Sequence, residues 1–97
     1  MSVFRSKKLL ETARDQACVN CGSRHGVVAC HSNLQEHGKG LGIKASDVFT
    51  AHLCRACHAA LDGRDRFLTK EEKRDFFYRM WARTMLRLFE TGRVVVK

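Results

Sequence analysis

A small α+β fold is what the sequence predicts: a zinc-stapled ββα unit set between an N-terminal helix and a long amphipathic C-terminal helix. Three observations predict it. Cys18 and Cys21 form one Cys-x-x-Cys pair, Cys54 and Cys57 a second, and two such pairs brought together make the closed tetrahedral thiolate site that structural zinc prefers. At 97 residues the chain is the length of one domain, and a domain of that size buries only roughly 60–65% of its unfolded surface, so a metal staple supplies stability that a small core lacks. Finally, Thr69 followed by Glu72 makes a capping box ahead of an apolar stripe at helical spacing that ends near Gly92.

Residues 5–16 read as a short helix, with Leu9, Leu10 and Ala13 on one side and charges elsewhere, packing as a lid or brace. Next comes the first knuckle, Cys18-Val19-Asn20-Cys21-Gly22, where the glycine permits the tight backbone that turns amides toward thiolates. A strand is expected over residues 27–30. Residues 32–46 are polar and glycine-rich and are expected to be a loop. Its centre, Gly38-Lys39-Gly40-Leu41-Gly42, superficially resembles a phosphate cradle. A P-loop needs Gly-Lys-Ser/Thr leading into a helix, however, and here Ile43-Lys44-Ala45 follows, which excludes a nucleoside triphosphatase. The loop is either a flexible connection or a basic segment that lies along a DNA backbone.

Over residues 47–53 the chain alternates, with Phe49, Ala51 and Leu53 on one face and Val48, Thr50 and His52 on the other, the pattern of a half-buried strand. The second knuckle follows, then a short helix over residues 56–61 stopped by Gly63. The core is thus expected over about residues 17–64 and the C-terminal helix over about residues 70–91. Phe77, Met80, Trp81, Thr84, Met85, Leu88 and Phe89 line one side of that helix as core or a dimer contact. Lys70, Lys73, Arg74, Arg79, Arg83 and Arg87 occupy the rest, as a solvated surface or a stripe facing DNA. No repeat, low-complexity tract or second domain is visible.

The balance of 18 Lys and Arg against 10 Asp and Glu leaves a net charge of +8, which attracts polyanions before any specific contact forms. Nucleic acid is the first partner this implies; an acidic protein partner and mere solubility are the other readings. Arg5, Lys7 and Lys8 precede only Leu9-Leu10 before Glu11 intervenes, so no secretory apolar region is present, and no stretch is long enough to cross a bilayer. The chain is therefore expected to be soluble and cytoplasmic, where paired cysteines favour metal over disulfide, an oxidised pairing of four cysteines with Cys30 left over being the alternative.

His58 and Asp62 stand four residues apart, so on a helix they share a face and can hold one metal ion. Near a helix C-terminus a carboxylate is poorly placed, and a cation would relieve it; an exposed Asp-Gly turn is the plain alternative. His31 ends the first strand with pleat parity opposite to Cys30. Facing the helix that carries His58, it would take a proton from water attacking a phosphodiester, with a divalent ion on His58 and Asp62 stabilising charge and leaving oxygen.

These residues carry a resemblance. Cys18-x-x-Cys21, Cys30-His31-Ser32-Asn33, Gly38-Lys39-Gly40, Lys44, Asp47 and Cys54-x-x-Cys57-His58 with Leu61-Asp62 resemble the HNH (ββα-metal) nuclease superfamily. Within it they are most similar to the small phage and prophage proteins of the YbcO type, nucleases similar to the RecA-dependent nuclease Ref. The resemblance covers residues 18–64 and, more loosely, the terminal helix.

It implies a ββα fold, divalent-metal-dependent cleavage of DNA and a structural Zn²⁺ on the four knuckle cysteines; phosphodiester chemistry itself suits Mg²⁺ or Mn²⁺, while a histidine ligand also accepts Zn²⁺, Ni²⁺ or Co²⁺. It matches His31 to the general base, His58 to a metal ligand and Asp62 to the place of a second ligand. It also implies a bacterial host cell with a phage or prophage gene, DNA as substrate and a recombinase–DNA filament as a further partner; the apolar stripe from Phe77 to Phe89 leaves a monomer or a homodimer as the expected states. Lys39, Lys44, Arg55 and Arg64 are the cations expected to meet DNA.

Two departures stand out. Cys30 occupies the position before the base where many HNH nucleases have Asp or His, and is either a small core residue or a ligand. Phe49 stands where the middle asparagine of the motif falls, leaving Asp47 or Asn33 to orient the base. The rival reading is a non-catalytic, zinc-stabilised DNA-binding module, which needs neither His31 nor Asp62. Cys54-x-x-Cys57-His58 also matches a c-type haem attachment signal, which leaves Cys18 and Cys21 unexplained. A thioredoxin-like role lacks its βαβ pattern.

Overall fold

Val28–His31 (β1) and Thr50–Leu53 (β2) pair antiparallel as a two-stranded sheet, with Val28 opposite Leu53, Ala29 opposite His52, Cys30 opposite Ala51 and His31 opposite Thr50. The computed structural model, which describes residues 3–62 and 68–97, packs three helices around this ribbon: Lys7–Glu11 (α1), Arg55–Leu61 (α2) and Lys70–Glu90 (α3). The fold is α+β. Cys30, Ala51 and Leu53 share a face of the sheet and meet Cys18, Cys54, Leu61, Phe77 and Met80 in one core. His31, on the opposite parity, is left partly accessible.

The first strand runs one residue later than expected and includes His31 itself. The second departs further from the alternating pattern, because it begins only at Thr50 and all four of its residues are buried. Residues 46–49 close as a turn, with the Phe49 N–H on the Ser46 carbonyl at 2.9 Å. The face that was expected to meet water is covered. His52 donates its N–H to Thr84 Oγ1 at 3.1 Å and accepts from the Val19 N–H at 3.0 Å, which closes the free edge of β2. Arg87 donates to His52 Nδ1 at 3.0 Å and to the Ala17 carbonyl at 2.7 Å, while Arg83 reaches the Val19 carbonyl at 3.2 Å. Arg87 therefore clamps the first knuckle to α3 and leaves the basic stripe, while Arg83 adds one bond to the knuckle and stays exposed.

The N-terminal helix is also shorter than the expected residues 5–16. Ser6 Oγ caps it, accepting from the Leu9 N–H at 3.1 Å, and Asp15 turns the chain away at φ +65°. Ahead of the helix the chain is drawn out against residues 44–47: the Phe4 N–H donates to Ser46 Oγ at 3.1 Å and the Asp47 N–H to the Phe4 carbonyl at 2.9 Å. Tertiary bonds thus outcompete the helical turn that Arg5 would have begun.

The long helix matches its sequence signals closely. Thr69 and Glu72 form the reciprocal capping box. At the other end Gly92 takes φ +73°, its N–H meets the Phe89 carbonyl at 3.2 Å and the Arg93 N–H meets the Leu88 carbonyl at 2.9 Å, a Schellman stop. Phe77, Met80, Thr84 and Leu88 are buried; Phe89 falls outside the stripe and is 49% exposed. Each large apolar side chain so buried contributes about 1.5–3 kcal/mol. Among the described residues no helix is long and apolar enough to cross a membrane.

Candidate metal centre and catalytic cleft

The two knuckles meet between the sheet and α2. In the first, the Cys18 N–H donates to the Ser23 carbonyl at 2.8 Å and the Gly22 N–H to the Cys18 carbonyl at 2.9 Å, a turn that needs Gly22 at φ +80°. In the second, Cys54 is the N-cap of α2 and Cys57 lies in its first turn. The four sulfurs lie within 4.8 Å of one another, and those of Cys21 and Cys54 are 3.6 Å apart. A tetrahedral zinc with bonds of about 2.3 Å holds its sulfurs about 3.8 Å apart, whereas a disulfide brings them to about 2.0 Å. All five cysteines are free.

The electrostatics fit a cation. Burial alone would raise the Cys18 thiol, but the backbone N–H groups of Cys21, Cys54 and Asn20 outweigh it and lower the thiol to about 6. Asn20 Nδ2 also donates to Cys57 Sγ at 3.2 Å. Burial and then the neighbouring sulfurs push Cys57 up to about 12, so four thiolates cannot crowd together without a positive charge among them. The cluster is positioned to bind a metal ion, consistent with structural zinc. With both sulfurs of Cys54 and Cys57 turned into it, neither is left for haem attachment.

A separate cleft of about 280 Å³ is lined by His31, Asn33, Lys39, Lys44, His58 and Asp62, with Cys30 in its wall. These side chains come from the end of β1, from the glycine-rich loop and from α2. Asp62 Oδ2 lies 3.0 Å from His58 Nε2, an i,i+4 ion-pair contact that keeps both side chains on one side of α2, where a cation could replace the shared proton. Asn33 Nδ2 reaches Asp62 Oδ1 at 3.5 Å. Among the described residues the four-cysteine cluster is the only gathering of three or more His, Cys, Asp and Glu donors; the cleft offers two.

His31 Nε2 lies 2.8 Å from Asp47 Oδ1. Asp47 is buried at 3% exposure, and burial would raise its pKa, but His31, the Ser6 N–H and Arg5 together hold it below the usual carboxylate range. The Ser6 N–H donates to Oδ2 at 2.7 Å and Arg5 Nη1 to Oδ1 at 3.2 Å. An ionised carboxylate only accepts, so Nε2 of His31 carries a proton, and it is Nδ1 that bears the lone pair whenever the ring is neutral. Of the two candidates for orienting His31, Asp47 touches it and Asn33 turns to Asp62.

Cys30 is 1% exposed, and burial foremost pushes its thiol up to about 12. It is a neutral core residue behind the cleft. Arg55 is exposed at the start of α2 and does not line the cleft; Arg64 and Gly63 lie outside the described residues.

The sequence reading overlooked His37. Residues 32–46 are not wholly a loop: Gln35–His37 make a 3₁₀ turn that buries this histidine. Its ring stacks on Phe49 at 3.9 Å and 6°, with Nδ1 2.6 Å from Ser32 Oγ and Nε2 3.0 Å from the Tyr78 hydroxyl. Tyr78 donates to Glu36 at 2.8 Å, and Arg74 pairs with Glu36 through bonds of 2.6 and 2.9 Å. The residue next to His31 is thereby tied to α3. No local signal reveals this, since Tyr78 follows 41 residues later.

A family model described as "Putative nuclease YbcO" matches residues 7–93, from the first residue of α1 to just beyond the end of α3. No curated protein and no solved structure matches the chain.

Proposed function

The chain belongs to the YbcO nuclease family, and on that premise we propose that it is a metal-dependent DNA endonuclease of the HNH type. In this reading β1, β2 and α2 are a ββα-metal core within one domain spanning residues 1–97, similar to that of the nuclease Ref, and serve phage DNA metabolism or recombination. The observation that carries it is the carboxylate-held histidine, His31 on Asp47, opening onto the same cleft as the His58–Asp62 pair and two lysines.

The residues divide the work. Lys39 and Lys44 draw the phosphate backbone into the cleft. Asp47 holds the His31 ring in the tautomer that presents Nδ1. A water proton passes to Nδ1 as the water oxygen bonds to phosphorus and the bond to the leaving oxygen breaks. Asp47 then stabilises the imidazolium that results. A divalent ion on His58 and Asp62, Mg²⁺ or Mn²⁺, would supply positive charge at the phosphate and the leaving oxygen. Asn33 orients Asp62. Zinc on Cys18, Cys21, Cys54 and Cys57 would take no part in the chemistry and would hold the two knuckles, hence β1 and α2, in register.

Cleavage of supercoiled plasmid and single-stranded DNA, with Mg²⁺, Mn²⁺, Ni²⁺ or EDTA and beside His31→Ala, tests this. Metal-dependent cutting lost in His31→Ala, with one zinc retained per chain, is the expected result. A folded, zinc-loaded protein that binds DNA and never cuts it would establish the DNA-binding module instead.

A further inference from the structure

Residues 39–44 form a tight hairpin tip. Gly40 and Ile43 exchange both backbone bonds, at 3.0 and 3.1 Å, and Gly42, at φ +69°, fills the turn position that requires a left-handed backbone. Leu41 at the apex is 104% exposed and Ile43 beside it 51%.

The base of the tip is anchored. Arg5 Nη2 donates to the Lys44 carbonyl at 2.7 Å, and the Ser46 N–H donates to the His37 carbonyl at 2.9 Å. Gly38, at φ +96°, lies so close to Val3 that an added Cβ would meet Cγ1 at 2.7 Å. A firmly held turn thus lifts a bare leucine into solvent between Lys39 and Lys44, and both lysines line the cleft that contains His31, His58 and Asp62.

We propose that Leu41 is a wedge that enters the base stack of DNA beside the scissile phosphate, while Lys39 and Lys44 hold the phosphates flanking the opened step. The proposal rests on the nuclease reading and adds a substrate class to it: DNA whose stack opens readily, as at mismatches and frayed ends. An apolar side chain gains only by leaving water for apolar surroundings; on DNA the largest of these are the faces of bases, reached by parting a step, with thymine methyl groups a smaller alternative. An anionic lipid surface also suits a leucine between two lysines. DNA is favoured because the same lysines face the residues that would cut a phosphodiester.

The test places 2-aminopurine at a mismatched step of a short duplex and titrates it with His31→Ala protein, so that binding is read without cutting. Fluorescence is expected to rise several-fold at saturation, to lose most of that rise in His31→Ala/Leu41→Ser and to keep it in His31→Ala/Leu41→Phe. In otherwise native protein, Leu41→Ser is expected to erase a cutting preference for mismatched over fully paired duplex. The exposed apex lets these variants fold, which circular dichroism checks.

An unchanged fluorescence rise in the Leu41→Ser variant overturns the wedge, as does absence of DNA binding. Leu41-dependent sedimentation with phosphatidylcholine–phosphatidylglycerol vesicles but no Leu41 effect on DNA overturns it in favour of a membrane contact. The nuclease reading fails separately: a Leu41-dependent fluorescence rise without any metal-dependent cutting by native protein would leave the wedge standing and remove the enzyme.

Discussion

Asp47 Oδ1 lies 2.8 Å from His31 Nε2, although the two residues are 16 apart in sequence and come from opposite sides of the glycine-rich loop. The contact closes that loop at its base, and the same carboxylate is the anchor for the extended N-terminal segment through Ser6 and Arg5. One buried charge therefore couples the position of the chain's first elements to the tautomer of the histidine at the cleft.

Asp47→Asn is expected to lower kcat for plasmid cutting by on the order of 10²-fold, within the range that a positioned general base contributes, with little change in KM. An asparagine can donate to His31 Nε2 and so present the wrong tautomer. Native circular dichroism and unchanged DNA affinity in Asp47→Asn, beside the lowered kcat, separate this from simple loosening.

Removal of zinc should unfold the chain. Apparent binding energies of structural zinc, about 10–16 kcal/mol, rival the whole stability of a small domain, about 5–15 kcal/mol. Loss of helical circular dichroism on adding a strong chelator, its recovery with Zn²⁺, and failure of Cys57→Ser to retain one zinc per chain are the expected observations. Retention of native circular dichroism in metal-free protein would contradict the staple.

His58→Ala and Asp62→Ala should leave folding and zinc content intact, because both side chains sit at the surface of the cleft. Each is expected to raise the Mg²⁺ or Mn²⁺ concentration for half-maximal cutting by at least about tenfold, as loss of a direct ligand should exceed the effect of losing an outer partner. Metal titrations of cutting rate, with zinc counted on the same samples, distinguish the two ion sites.

Acid should weaken the fold partly through His37. Burial lowers its pKa below 6.5 in the folded chain, so as pH falls through that window the unfolded chain takes up a proton that the fold refuses. Its contribution is present in full above about 6.5 and declines below it. Urea unfolding at pH 7.5 and 5.5 under saturating zinc should show a smaller drop in His37→Gln than in the native chain.

What the sequence determined by itself is what nearest neighbours control. The Thr69–Glu72 box, the Gly92 stop and the knuckle turns are set by bonds spanning a few residues, so their patterns carry their geometry. The parity that separates Cys30 from His31 follows from the pleat alone, and the four cysteines announce a shared partner by chemistry and spacing.

Tertiary structure decided the rest. The choice of Asp47 over Asn33 beside His31, the capture of Arg5 by residues 44–47, the burial of His52 under Arg87 and of His37 against Phe49 and Tyr78 all depend on which distant segments meet. A polar residue's role there is set by desolvation and by partners tens of residues away. Its own spacing, which reads the same for an exposed histidine as for a buried one, carries no trace of that.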